Sequence, residues 1–446
     1  ISLIFKLMLN FKTLIYNMDK NKLSVKIISN FIFFATILII IFTRSFVGLK
    51  IFGYRLGELM AGFGLFATII FITYILAFQN KKFKFFPTSS YIVLISIFLL
   101  TVFISSGNFL NLYTYKSSSF LWMIGYVFIG YLFFEIITFN KFHIIVLSFT
   151  PLIIYVLNSG NYPNIVIDFF KKYSDKFQFT KGSDVLMALL FCLFLLNGKF
   201  KKDMTYINFT NLLSFLLLPL FLTLSRASFF SCLIFIILIN LNFKKVILNN
   251  RKKYLTYLFI SFLLFLISSI RLAALPEIEL RSEEPVIVKV VQDSVSEVAQ
   301  RKNTFQFLGF YMCEDRICAK DNTLDWRLDI WNDLVKDQIN KQKILFGFGF
   351  NEMFEIMKDP QAPGRLGREG LNEHVHNHIF TVLGRMGLLG LAAYILFQVK
   401  LIGRLDLEFL IFFIPLFLLS MIDTTMESIQ FPYLYYFLIS YFKISD

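Results

Sequence analysis

The chain has 446 residues, of which 57% are hydrophobic and only 17% are charged, and its mean hydropathy is +0.66. A soluble globular domain is not this apolar, so the composition excludes the soluble enzymes and soluble binding modules. The net charge is +14, but in a membrane protein the placement of lysine and arginine is more informative than their total.

Repeated apolar runs of about 20 residues predict an all-α polytopic membrane protein. The chain begins with Ile1, and Met18, which opens a short basic lead into the first run, is an alternative start. No small-residue cleavage site follows that run, so it predicts a retained helix and not a removed signal peptide. About twelve spans are predicted, at 27–43, 57–78, 89–106, 119–138, 142–158, 184–198, 206–224, 227–242, 254–270, 377–397, 405–422 and 429–443.

The short connections between these spans differ in their basic residues. With a cytoplasmic N-terminus, the cytoplasmic connections contain most of them: Lys81, Lys82, Lys84, Lys199, Lys201, Lys202, Lys244, Lys245, Arg251, Lys252, Lys253, Lys400 and Arg404. The intervening connections are poorer in lysine and arginine, except 159–183, where aspartates partly offset four lysines. The bias predicts that both termini are cytoplasmic.

One connection, residues 271–376, is far longer than the others and is predicted to face outward. The expected organisation is an N-terminal transmembrane region at 1–270, this large periplasmic loop with surface helices at 271–376, and a C-terminal transmembrane region at 377–446. Loops of this length are usually functional or disordered. A helix signal inside the loop favours a functional role.

That helix is predicted to begin near Thr323, with Asn322 or Thr323 as its N-cap and Asp325 in its first turn. It is expected to end at Gly347-Phe348-Gly349. Its predicted apolar stripe consists of Leu324, Leu328, Trp331 and Val335. Such a helix is expected to lie flat on the bilayer surface or on the transmembrane body.

Four cysteines occur in the chain. Cys313 and Cys318 lie in the long loop, where an oxidising compartment favours a small local disulfide over two free thiols. Cys192 and Cys232 fall inside predicted spans and are typical of small apolar residues.

Arg226 is the first candidate for function. It stands in Leu224-Ser225-Arg226-Ala227-Ser228, between two apolar runs at the outer membrane face. An arginine there is costly unless it reaches water or meets an anion. Either it binds phosphate oxygens in a bidentate manner, which arginine does better than lysine, or it is a turn residue whose guanidinium reaches the interface.

Arg327 is the second candidate. It lies beside Leu328 and Trp331 at the edge of the apolar stripe, so it is predicted to point along the membrane surface toward a bound lipid headgroup. The alternative is an ordinary exposed helix charge.

Three of the four histidines, His374, His376 and His378, stand within five residues where the loop meets the next apolar run. Imidazole suits a general base near neutral pH, and His376 is the favoured candidate, with His374 and His378 as alternatives. The alternative is a histidine at the membrane interface with its polar tip in water. A zinc site is a rival, because His374 and His378 would share a helix face near Glu373, but no further cysteine or carboxylate completes it.

Two further features follow the histidines. Gly384-Arg385-Met386-Gly387-Leu388-Leu389-Gly390 spaces small residues three apart, which is typical of close helix packing in membranes. Asp423 and Glu427 are carboxylates near the outer end of the eleventh span, where they either orient an arginine or histidine or lie in a short loop.

Taken in order, these motifs resemble the O-antigen ligase and O-antigen polymerase superfamily, which are bacterial polytopic glycosyltransferases. The resemblance covers about residues 200–400. It depends on Ser225-Arg226, on Arg327-Leu328-Asp329-Ile330-Trp331 before Phe346-Gly347-Phe348-Gly349-Phe350, and on His376-Asn377-His378 before Gly387-Leu388-Leu389-Gly390. The motifs are weak singly, and their order and spacing make the combination fairly specific.

The resemblance implies a reaction and its residues. Arg226 and Arg327 would bind the diphosphate of an undecaprenyl-diphosphate-linked glycan. His376 would take the proton of an acceptor hydroxyl, which attacks the anomeric carbon with inversion, while Asn377, Trp331, Gly347 and Gly349 would support the site. The family chemistry uses neither metal nor nucleotide, so no cofactor is expected. The chain departs from a lone-histidine pattern, because His374 and His378 flank His376 and are alternatives for the base.

The implied partners are the lipid-linked donor, a glycan or lipid A–core acceptor and the bilayer of the bacterial inner membrane; no nucleic acid is expected. The single long loop ending in the histidines slightly favours a ligase over a polymerase. A lipid-linked sugar flippase or exporter is a rival, although no inverted repeat or pair of broken helices is visible. A structural partner in a polysaccharide assembly complex is a third possibility.

Overall fold

The structure, a computed structural model, describes residues 22–78, 86–109, 111–136, 139–174, 181–200, 203–273, 309–313, 316–359, 362, 365, 373–403, 407–422 and 425–444. The start at Met18, the basic run at 81–84, Arg404 and Asp423 lie outside the described residues. The described part is mainly helical, with two short hairpins.

The N-terminal half contains, in chain order, α1 (Lys22–Val47), β1 (Lys50–Ile51), β2 (Tyr54–Arg55), α2 (Leu56–Phe78), α3 (Thr88–Ile104), α4 (Leu112–Ser117), α5 (Ser119–Trp122), α6 (Gly125–Ile136), α7 (Lys141–Asn158) and α8 (Asn164–Tyr173). The remainder contains α9 (Gly182–Phe200), α10 (Met204–Leu224), α11 (Arg226–Asn242), α12 (Lys244–Asn249), α13 (Arg251–Ala273), β3 (Phe310–Cys313), β4 (Arg316–Ala319), α14 (Asn322–Asn340), α15 (His378–Ile402), α16 (Leu407–Ile422) and α17 (Gln430–Ile444). Short 3₁₀ turns lie between α14 and α15, at Glu355–Lys358, and between α16 and α17, at Thr425–Glu427.

Every predicted span overlaps a helix, which confirms an all-α polytopic membrane protein. Six of the described helices are long and apolar enough to cross a membrane, and five more apolar helices are shorter. The fourth predicted span is divided between α5 and α6. The count of twelve spans therefore stays a prediction.

Helix α9 lies at the centre of the bundle. Its residues from Val185 to Leu196 are all buried, as expected of a helix that is apolar on every face. Helix α13 is the opposite case, because large apolar side chains such as Leu255 and Phe259 are exposed along it. An exposed apolar surface on a membrane helix faces lipid.

Helix α15 is broken at Gly387, whose φ of +66° lies in the left-handed region. A helix break leaves backbone groups without their partners in the helix. The segment 344–349 supplies those partners: Phe348 N–H donates to Gly384 O (2.8 Å), and Leu388 N–H donates to Ile344 O (2.9 Å). We call residues 344–349 the bracing segment. It holds the first half of α15 in place.

Glycine is required on both sides of this junction. A Cβ at Gly387 would lie 2.3 Å from the carbonyl carbon of Leu345, and a Cβ at Gly347, where φ is +72°, would lie 2.5 Å from that of Arg385. The expectation that Gly387 serves only close helix packing is therefore too simple, because the residue also permits the break.

Helix α14 differs from its prediction at both ends. Asp321, and not Asn322 or Thr323, is the N-cap, since its carboxylate accepts from Leu324 N–H at 2.9 Å. The helix ends at Asn340, before Gln342, which has a positive φ of 56°. Gly347 therefore does not terminate α14, because it belongs to the bracing segment.

The buried face of α14 is also rotated from the predicted stripe. Ile330, Leu334 and Gln338 are fully buried, whereas the four predicted residues, Leu324, Leu328, Trp331 and Val335, are only half-buried. Gln338 Nε2 donates to the carbonyl of Leu383 at 2.9 Å, which explains a polar residue on the buried face. Helix α14 packs against the first half of α15. Of the two expected placements, the bilayer surface and the transmembrane body, this is the second.

Candidate active site around the start of α14

Three helices begin where the long polar segment meets the apolar bundle, and each has a side-chain cap. Ser225 Oγ accepts from Ser228 N–H at the start of α11, and Asp321 caps α14. Asn377 Oδ1 accepts from Ile379 N–H at 2.8 Å at the start of α15. Capping residues satisfy the first backbone N–H groups of a helix. We call this end of the bundle the loop side.

Arg226 is the first residue of α11 and is 9% exposed. Only Ser225 separates α10 from α11, as the sequence predicts. The Arg226 guanidinium forms an ion pair with Asp321, whose side chain is 14% exposed. This pair joins the membrane bundle to the N-terminus of α14.

Arg327 lies in the second turn of α14, three and four residues before Ile330 and Trp331. At helical spacing these positions share a face. Arg327 therefore lies on the face of α14 that packs on the bundle, and its Nε is buried. The predicted orientation of Arg327 toward a lipid headgroup stays a prediction.

His376 adopts a left-handed conformation with φ +56°, a conformation in which histidine is more common than most residues. Its imidazole lies against the indole of Trp326, with ring centroids 4.8 Å apart. Trp326 belongs to the same turn of α14 as Arg327. The first two turns of α14, which include Arg327, thus contact Arg226 through Asp321 and His376 through Trp326.

Trp331 and Asn377 hold the histidine segment on both sides of His376. Trp331 Nε1 donates to the carbonyl of Val375 at 2.6 Å, and its ring stacks on Phe380 at 5.0 Å. Asn377 Nδ2 donates to the carbonyl of Met421 at 2.6 Å while its oxygen caps α15. Both residues therefore act as supports for the backbone at His376.

Gly347 and Gly349 contact the first half of α15. They lie in the bracing segment, where Gly349 N–H donates to Arg385 O at 3.0 Å. The buried Arg385 guanidinium in turn donates to the carbonyls of Gly349 and Glu352 and to the hydroxyl of Tyr113. These glycines support α15, and their described contacts do not include Arg226, Arg327 or His376.

The two flanking histidines have separate environments. His374 is 44% exposed, and its Nδ1 lies 2.6 Å from the carboxylate of Glu427, which is 7% exposed. His378 begins α15, is fully buried, and lies between the rings of Phe120 and Tyr394. Because α15 begins only at His378, His374 and His378 do not share a helix face as the zinc alternative requires.

Glu427 is the buried carboxylate of this region. Burial alone would raise its pKa, but the neighbouring His374 outweighs burial and holds the pKa below its ordinary value. Among the residues that the structure describes, no group of three or more His, Cys, Asp or Glu side chains is arranged to hold a metal ion.

Acidic residues on α14 are matched by arginines from outside the helix. Arg316 pairs with Asp325 and Asp329, and the buried Arg365 pairs with Asp329 and Asp333. The hydrogen bonds from Arg316 hold the pKa of Asp325 below its usual range. These pairs link α14 to Arg316 and Arg365 along its acidic face.

The structure joins Cys313 and Cys318 by a disulfide between the antiparallel strands β3 and β4, with their Cα atoms 5.8 Å apart. The hairpin leads directly into Asp321 and α14. Cys192 and Cys232 are free thiols buried within helices.

The sequence did not single out Asp321 or Trp326, and it left the role of Glu427 open. The signal for Asp321 was its position as a capping residue one place before the predicted cap. For Trp326 the signal was its position next to Arg327. Asp321 contacts Arg226, which is 95 positions away in the chain, and Trp326 contacts His376, which is 50 positions away. A local sequence pattern does not report contacts of this kind.

Residues 211–395 match the family model described as O-Antigen ligase. No curated protein and no solved structure gives a significant match to the chain. The matched segment runs from α10 into α15 and contains Arg226, Arg327 and His376. This segment of the chain is therefore similar to the O-antigen ligase family.

Proposed function

We propose that this protein moves a glycan from undecaprenyl diphosphate to an acceptor hydroxyl with inversion, and that it is an O-antigen ligase whose acceptor is the lipid A–core. The proposal is supported by two contacts of the start of α14, the helix that contains Arg327. Asp321 forms an ion pair with Arg226, and Trp326 lies against the ring of His376.

The diphosphate of the donor would bind between Arg226 and Arg327. Guanidinium groups bind phosphate oxygens in a bidentate manner. Helices α11 and α14 begin beside these side chains, and the N-terminus of a helix carries partial positive charge that favours an anion. The carboxylate of Asp321 marks a position at which an anion meets Arg226.

His376 would accept the proton of the acceptor hydroxyl. The hydroxyl oxygen then forms a bond to the anomeric carbon as the bond from that carbon to the phosphate oxygen breaks, so undecaprenyl diphosphate leaves with the bonding electrons. The leaving group gains negative charge, which two fixed arginines stabilise best where water is scarce. A well-placed base supplies about 10²–10⁴-fold of the rate.

We also propose that the reaction uses no metal and no nucleotide, since two guanidinium groups supply the positive charge that the leaving group requires. The loop side would face the periplasm of the bacterial inner membrane, which agrees with the distribution of basic residues in the short connections and with the Cys313–Cys318 disulfide.

The choice between ligase and polymerase is tested by mass analysis of surface glycans in a deletion strain. A ligase predicts that long glycan chains are made but stay unattached to the lipid A–core. Single repeat units on the lipid A–core would contradict the ligase and identify a polymerase. Complementation with the intact gene is the control.

A further inference from the structure

Arg44, in the last turn of α1, is an arginine that the proposed reaction does not use. Its Nε donates to the carboxylate of Asp184 at 3.0 Å. Asp184 lies in the first turn of α9 and is 1% exposed. A carboxylate buried to this extent requires a cationic partner. The pair therefore fixes the guanidinium group of Arg44 against the bundle.

The contact with Asp184 uses only one of the three guanidinium nitrogens of Arg44. Its two terminal nitrogens have no hydrogen-bond partner among the residues that the structure describes, and the side chain is 20% exposed. The terminal N–H groups of a guanidinium can bind two oxygens of one phosphate or carboxylate side by side. Arg44 is thus held through Nε while its other end is accessible to an anion.

The backbone immediately before Arg44 is strained. Thr43 has a φ of +35°, which interrupts α1 one residue before Arg44. A positive φ is an outlier for a β-branched residue, and strain of this kind is concentrated at functional sites. The interruption sets the direction of the last turn of α1, which carries Arg44.

The first turn of α9 places Arg44 at the loop side, near Arg226. A Cβ at Gly182, in the same turn as Asp184, would lie 2.8 Å from the Cβ of Ser225. This turn therefore touches the residue that precedes Arg226. Arg44 and Arg226 are thus linked through a single helical turn.

Asp184 also connects Arg44 to the histidine segment. Gln430 Nε2 donates to the second carboxylate oxygen of Asp184 at 3.2 Å. Gln430 begins α17 and follows Glu427, the partner of His374, by three residues. Arg44 therefore belongs to a network of contacts that reaches Arg226 on one side and the segment of His374 on the other.

We propose that Arg44 binds a phosphate group of the acceptor lipid, separately from the diphosphate of the donor. The inference rests on the proposed function, in which Arg226 and Arg327 already match the donor diphosphate. Both candidate acceptors, the lipid A–core and a second lipid-linked glycan, carry phosphate at the membrane surface. A phosphate held by Arg44 would anchor the acceptor at the loop side while its hydroxyl approaches His376.

Two variants separate anion binding from simple neutralisation of Asp184. Arg44→Lys keeps a cation for Asp184 but loses the guanidinium fork. The double variant Arg44→Gln/Asp184→Asn removes both charges together, so that no buried charge stays unpaired. Arg55→Gln is the matched control, because Arg55 follows α1 on the same side and pairs with Glu58 at the surface. The measurement is glycan transfer by purified full-length protein, with separate KM values for donor and acceptor.

We expect Arg44→Lys and the double variant to raise the KM for the acceptor by roughly tenfold or more, because a charge-assisted contact is lost. Their KM for the donor, and both KM values of Arg55→Gln, should stay within about twofold of wild type. A wild-type acceptor KM in the folded double variant would overturn the inference and leave Arg44 as the counter-ion of Asp184. A raised KM for the donor alone would assign Arg44 to the donor diphosphate and also overturn it.

A second measurement uses wild-type protein in detergent, so it does not depend on the folding of a variant. Phenylglyoxal, which reacts with arginine, is applied, and the modification of Arg44 is quantified by mass spectrometry. Protection by the lipid A–core, but not by the same acceptor after its phosphates are removed, supports the inference. Equal modification with and without the acceptor, or protection by phosphatidylglycerol alone, overturns it. If wild type transfers no glycan to any acceptor, the proposed function fails, whereas normal transfer with Arg44 unprotected rejects the phosphate site alone.

Discussion

The indole of Trp326 and the imidazole of His376 lie against each other with their ring centroids 4.8 Å apart. Trp326 is in the same turn of α14 as Arg327, so one helical turn contains a proposed diphosphate ligand and contacts the proposed base. The left-handed backbone at His376 is held on either side by Trp331 and Asn377. The position of the base thus depends on a helix that comes 50 residues earlier in the chain.

Replacing Trp326 should lower the rate of transfer without weakening donor binding. Aromatic pairs contribute about 0.5–1.5 kcal/mol beyond their buried area, so Trp326→Ala should reduce kcat by about tenfold with little change in the KM for the donor. Trp326→Phe retains an aromatic ring, so its kcat should lie between those of Trp326→Ala and wild type. Steady-state kinetics on purified protein make the comparison, and a wild-type kcat in Trp326→Ala would show that the ring contact has no role.

Arg226→Lys tests whether the guanidinium itself is required. Lysine keeps the charge opposite Asp321 but does not form the bidentate contact, so kcat/KM for the donor should fall by about 10²-fold while the thermal midpoint changes little. Arg271→Lys, at the loop-side end of α13, is the matched control, and its kcat/KM for the donor should be close to that of wild type. Equal activities in the two variants would remove Arg226 from the site.

The Glu427–His374 pair predicts a specific dependence of stability on pH. Because the pKa of Glu427 is lowered from its ordinary 4.5, its carboxylate stabilises the fold above about pH 4.5, and that contribution is lost as the pH falls through the folded-state value. Glu427→Gln should melt a few degrees below wild type at neutral pH. The difference should shrink below pH 4.5, and a difference that stays constant down to pH 3 would contradict the assignment.

Gly387→Ala should destabilise the protein strongly, because the left-handed backbone and a Cβ 2.3 Å from Leu345 both oppose it. We expect a loss of at least about 2 kcal/mol, read as a lower thermal midpoint or loss of folded protein in detergent. Gly62→Ala is the control, since nothing lies within 4 Å of its added Cβ. Alanine is the better helix residue by about 0.5–1 kcal/mol, so that variant should be neutral or slightly stabilised.

The sequence was sufficient for features that depend on neighbouring residues. Hydrophobic runs located the apolar helices, and Ser225-Arg226 was correctly placed as the minimal turn between two of them. The break in α15 was not predicted, because it requires hydrogen bonds from the bracing segment some 40 residues away. A pattern of glycines alone is equally typical of an unbroken packed helix.

The face of α14 was misjudged for a related reason. Counting only apolar residues selected Leu324 and Leu328, but the buried face includes Gln338, whose amide is satisfied by Leu383. Asp329 and Asp333 of the same helix also pair with Arg365. Both sets of contacts depend on partners that are distant in sequence.

The central claim is that His376 is the base, and its most direct test is glycan transfer by purified His376→Ala, compared with His374→Ala and His378→Ala under the same conditions. We predict that His376→Ala loses at least about 10²-fold of kcat while it still binds the donor, and that the other two folded variants stay within about tenfold of wild type. Wild-type kcat in His376→Ala, or a comparable loss at His374 and His378, would contradict the account.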